Sequence, residues 1–106
     1  MPRYMIQARF SQQGIKGLMA EGGTSRRAVV AKAVENLGGR LEACYFAFGA
    51  EDAVVIAELP DNVTAAAIGA TVGASGAGGT TTTVLLTPEE IDAAARLTVD
   101  YRPPGG

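Results

Sequence analysis

The chain has 106 residues, enough for one domain with a modest core, and its 47% hydrophobic and 19% charged composition is that of a globular protein rather than a disordered one. A formal net charge of −2 leaves no basic excess to neutralise phosphates, so nucleic acid is not an expected partner. There is no histidine, which excludes Ser-His-Asp and Cys-His triads and any His-ligated zinc or haem, and a single cysteine excludes an intrachain disulfide.

Residues Tyr4 to Phe10 alternate, with Tyr4, Ile6, Ala8 and Phe10 against Met5, Gln7 and Arg9. A period of two predicts a half-buried strand. The polar residues within it distinguish this segment from a signal peptide, which has an uninterrupted apolar centre. No apolar stretch approaches the length of a membrane span, so a cytoplasmic protein with no membrane partner is expected. "SQQGIKGLMAEGG" has glycines at 14, 17, 22 and 23, which predict a loop with one short helical turn. Thr24 or Ser25 is the expected cap of the next helix, where Val30, Val34 and Leu37 share a face. Gly38-Gly39 should end it.

"RLEACYFAF" predicts a second strand and "DAVVIAEL" a third, joined as a hairpin by the turn at Gly49 to Glu51. Pro60 stops the ladder and Asp61 can cap a second helix bearing Ala65, Ile68 and Val72 on one face. "GASGAGG" breaks that helix, and the β-branched run "TTTTVLL" predicts a fourth strand. Thr87-Pro88-Glu89 opens a last short helix. The expected organisation is one domain over 1–97 and a mobile C-terminal tail over 98–106.

The order β-α-β-β-α-β predicts an α+β, ferredoxin-like fold with a four-stranded antiparallel sheet covered by helices on one face. The uncovered face should alternate cleanly if it is wet. Strict alternation places Leu41, Ala43, Tyr45 and Ala47 on one face of the second strand, against Glu42, Cys44, Phe46 and Phe48. In the third strand Val54, Ile56 and Glu58 oppose Ala53, Val55, Ala57 and Leu59. Both faces are largely apolar, which predicts a homo-oligomer, a dimer or a ring of dimers, with the open face packed on a second copy.

Several segments of the chain, in this order, resemble the GYD domain family. "YMIQARFSQQGIKGL" is similar to the family's opening strand and turn, with Ser11 where threonine is usual. "SRRAVVAKAVENLGGRL" resembles its first helix, and "TTTTVLLTPEE" its closing strand and acidic helix start, without the arginine often found there. "FGAEDAVVIAELPD" resembles the Gly-Tyr-Asp segment that names the family, with Glu51 in place of the tyrosine. The resemblance covers about residues 3–91. It implies a dimeric α/β barrel, in which two ferredoxin-like sheets pack face to face around a cavity. It implies no particular activity, because a fold hosts many functions.

The residues themselves supply few candidates for chemistry. Asp52, Glu58 and Tyr45 are the candidate acid or base groups, and Gln7 and Arg9 the candidate ligand contacts. Each has a structural alternative: Asp52 as a turn residue fixing hairpin register, Arg9 and Glu58 as a rim salt bridge, Tyr45 as an interface residue. Cys44 has no electropositive neighbour in sequence and reads as a packed thiol. Arg26 and Arg27 stand at the start of a helix, where cations are unfavourable unless they hold an anion or a partner carboxylate. "GASGAGGTTTT" lacks the Gly-Lys-Ser/Thr of a phosphate loop and precedes a strand. Nothing calls for a cofactor or metal. The expected function is an oligomeric small-molecule-binding or structural domain. The alternative is a cofactor-independent oxygenase or isomerase of the dimeric barrel class.

Overall fold

Alternation makes β1 (Arg3–Phe10) a strand with Tyr4 and Ile6 buried on one side and Met5 and Gln7 half-buried on the other. In this computed structural model, which describes residues 1–106, β1 lies inside a four-stranded antiparallel sheet. The other strands are β2 (Arg40–Phe46), β3 (Ala53–Glu58) and β4 (Gly78–Leu85), in the order β2-β3-β1-β4. The inner strands are β3 and β1, and every pairing is antiparallel. This is the α+β arrangement expected of a ferredoxin-like chain.

The segment after β1 is helical, not a loop. It forms α1 (Gln12–Glu21), followed without a linker by α2 (Gly23–Asn36). Ser11 caps α1, its hydroxyl accepting from the Gly14 amide at 3.1 Å. Glycine lowers helix propensity by about 1 kcal/mol, which is why this sequence reads as broken. Gly14 has a packing reason to be there: a Cβ would sit 2.1 Å from the Ala77 carbonyl oxygen. The Ser11 amide donates to that same carbonyl at 2.9 Å. Gly22, at φ +86°, turns the chain between the helices. Thr24 and Ser25 therefore lie within α2 rather than capping it.

The end of α2 is as expected. Gly38 has φ +85°, its amide donates to Glu35, and the Gly39 amide donates to Val34 at 3.0 Å, the paired bonds of a Schellman motif.

β2 departs from strict alternation. Leu41 pairs opposite Ala57, but Ala43 pairs opposite Ile56, so Glu42 is taken up in a bulge. One inserted residue exchanges faces for everything on one side of it. Leu41, Cys44 and Phe46 thus share the helix-covered face, while Ala43 and Tyr45 share the open one.

Asp61 caps α3 (Asn62–Ala74), accepting from the Thr64 amide at 2.9 Å and its hydroxyl at 2.8 Å. Thr87 and Glu90 form a capping box at the start of α4 (Pro88–Ala95). The core lies between the sheet and α2 and α3, around Tyr4, Ile6, Val34, Ala57, Leu59 and Ala65. Tyr4 keeps its hydroxyl satisfied there by donating to Asn62 Oδ1 at 2.5 Å. Only 7 of 106 residues are fully buried, so this core fills one end of the layer and not the other.

Candidate functional site

Toward the Phe10 end of β1 the inward positions shrink. Ala8 and Ala53 pair directly opposite one another, with Thr80 on the other side of Ala8. Val30 and Ala33 of α2 and Ile68 and Val72 of α3 stand over them without filling the space. A cavity of about 240 Å³ remains between the sheet and these two helices. Fourteen of its 17 lining residues are hydrophobic, so a bound molecule would lie mainly against apolar wall. An apolar cavity of about 150 Å³ holds a benzene ring, and drug-sized pockets begin at about 300 Å³. The space here matches a molecule of one ring with a short substituent, or an equivalent chain.

Arg26, Ser75 and Thr80 are the polar lining residues that distinguish one part of this wall from another. Arg26 Nε is solvent-inaccessible and lies 2.9 Å from Glu21 Oε1 without hydrogen-bond geometry, so this contact is ionic only. Cys44 also lines the cavity. Burial pushes its thiol up, and Arg27 only partly offsets this, so the group is a neutral thiol at pH 7. No group of three or more metal-ligating side chains occurs, and no helix is long and apolar enough to cross a membrane.

The family model of the GYD domain matches residues 4–95. The chain belongs to the GYD domain family. No curated protein and no solved structure matches it.

Within this GYD domain the stretch Phe48 to Asp61 is a hairpin tip and a strand. The Asp52 carboxylate accepts from the Phe10 amide at 2.8 Å, the Asp52 amide donates to Ala8 at 2.8 Å, and its carbonyl accepts from Ala47 at 2.9 Å. The side chain thus ties the end of β1 to the β2–β3 hairpin. Glu51, which replaces the family tyrosine, lies 3.6 Å from Arg9, and Arg9 also donates to the Ala50 carbonyl at 2.7 Å.

Glu58 belongs to an ion cluster at the opposite end of the open face. Arg3 Nε reaches both Glu42 oxygens at 2.8 and 2.9 Å, and Glu58 receives Arg3 and Arg40, each at 3.1 Å. The Glu42 hydrogen bond holds Arg3 above its ordinary pKa, and Arg3 in turn holds Glu42 below the usual carboxylate range. Asp52 and Glu58 lie six residues apart on an extended strand, about 20 Å, so they cannot act on one substrate atom. Tyr45 is 69% exposed on the open face, and Gln7 lies on that face between Val54 and Thr81.

None of Gln7, Arg9, Tyr45, Asp52 and Glu58 lines the cavity. The cavity lies within one protomer on the helix side, whereas the family resemblance places one between two sheets. The readable signal was the run of small residues at inward positions, Ala8 and Ala53 above all. Arg26 reaches the cavity wall from the first turn of α2.

Proposed function

We propose that this GYD domain is an oligomeric binding domain for a small organic molecule, held between the sheet and α2 and α3. The observation that carries this reading is the apolar cavity at Ala8 and Ala53. A packed protein interior leaves few voids larger than a water molecule. A space of about 240 Å³ with an apolar lining is therefore a feature to be filled. Arg26 at its wall favours a ligand whose apolar body ends in a carboxylate or another anionic group.

The oligomer rests on the open face. Met5, Val54, Ile56 and Tyr45 lie there, on the side opposite the core that α2 and α3 cover. A second copy, packed sheet to sheet, would cover them and would bring Gln7 and Arg9 against its own surface. The oxygenase or isomerase reading needs acid and base groups that converge within one protomer, and Asp52 and Glu58 stand about 20 Å apart along β3.

Native mass spectrometry of the protein as purified tests both parts. An even oligomer carrying a small extra mass, lost on denaturation, is expected. A bare monomer at micromolar concentration would refute the proposal.

A further inference from the structure

The C-terminal segment stands away from the rest of the chain. Cα atoms have a radius of gyration of 16.8 Å and a long dimension of 55 Å, where a compact chain of this length would have a radius of about 13 Å. No residue of α4 is buried, and α4 has no extensive packing on another element. Yet the arm from Leu86 to Gly106 is rich in large apolar side chains: Leu86, Ile91, Leu97, Val99 and Tyr101 are all more than half exposed. Ile91, Ala94 and Ala95 fall on one helical face. A capped helix with an apolar face and an apolar continuation is built to be covered.

We infer that these arms are exchanged in a homodimer, the arm of each protomer lying on a second copy of this chain. The inference rests on the sheet-to-sheet reading above and extends it. Four strands about 4.8 Å apart and seven residues long present roughly 440 Å². A stable interface needs about 800 Å² from each partner. That figure counts accessible surface, which exceeds a flat footprint, and the arm supplies further apolar surface next to the open face. Its root is well placed: Leu85, the last residue of β4, pairs with Arg3 on that face, and Glu90 is near enough to Arg3 to help hold its pKa up.

Reach and charge agree. The eight residues of α4 extend about 12 Å, and the eleven after them up to about 36 Å. A partner sheet lies only about 10 Å away and is about 19 Å wide. The arm carries four acids and two bases, while the remainder of the chain has seven of each. Arg9 and Arg40, 66% and 64% exposed although each has an acid of its own chain within 4 Å, stand at opposite ends of the open face and add positive charge there.

The test is the dimer dissociation constant of the full chain, by sedimentation equilibrium, for the wild type, Leu97→Asp/Val99→Asp and Tyr45→Lys. All three substituted side chains are exposed, so the protomer keeps its fold, which circular dichroism checks. The wild type should be a dimer. The arm variant should dissociate on the order of a hundredfold more readily, from two apolar side chains no longer buried. Tyr45→Lys should also weaken the dimer. If Tyr45→Lys weakens it and the arm variant does not, the arm inference is overturned and the sheet-face reading stands. A monomeric wild type overturns both.

Discussion

Ala8→Ile separates a true cavity from a closed core by the sign of its effect. Ala8 is on an inner strand, faces α2 and α3 and lines the cavity beside Ala53. Isoleucine adds three carbons there, and each buried CH₂ contributes about 0.8 kcal/mol. If the space is real, the ligand-free protein should gain about 2 kcal/mol, to which the higher strand propensity of isoleucine adds in the same direction. For a domain of this size that is a rise in Tm of about 10 °C. The assay is thermal and urea unfolding of protein stripped of ligand by refolding, at one fixed concentration because association shifts Tm. The same substitution should abolish ligand binding. A loss of about 1–3 kcal/mol, the usual cost of overpacking, would show that the site is already full and would refute the reasoning.

Gly14→Ala forces a Cβ onto the Ala77 carbonyl and should cost about 1–3 kcal/mol in urea unfolding, although alanine is the better helix former; a stabilised variant would remove the packing account of α1. Asp61 is held below the usual carboxylate range, chiefly by the Thr64 amide, and Glu42 by Arg3. Both folded-state values lie below the unfolded ones, so their stabilising contribution is present above about pH 4 and is lost as pH falls through the folded values. The urea midpoint should therefore drop on acidification below about pH 4, and Asp61→Asn, which keeps a capping oxygen, should flatten that drop; an unchanged profile would contradict it. Cys44 should react with a disulfide reagent at pH 7.5 more slowly than a free thiol, and more slowly still with ligand bound; a rate above that of the free thiol would contradict the half-buried, protonated thiol.

The elements with a clean local signal were legible in the sequence. Alternation placed β1, Asp61 and Thr87 marked their helices, and Gly38-Gly39 marked the end of α2. Two features were not legible, and each depends on a contact distant in sequence. Glycines 14 and 17 mimic a broken helix, and only the approach of Ala77 explains why Gly14 sits in α1. The bulge at Glu42 has no turn residue to announce it, and it moved Cys44 and Phe46 to the helix side. The candidate polar residues have partners that no local pattern announces: Asp52 the Phe10 amide, Glu58 the side chains of Arg3 and Arg40. The cavity escaped because it is made of what is small, Ala8 and Ala53, and its lining polar group Arg26 lies on a helix whose start was misplaced.

The most direct test of the cavity is a methyl NMR titration of ligand-free protein with a one-ring carboxylate such as benzoate. The account predicts shifts at the methyl groups of Ile6, Val30, Val55 and Ile68, with Val63 unmoved as an exposed control. No shifts at millimolar ligand, or shifts confined to Val54 and Ile56 on the open face, would contradict it.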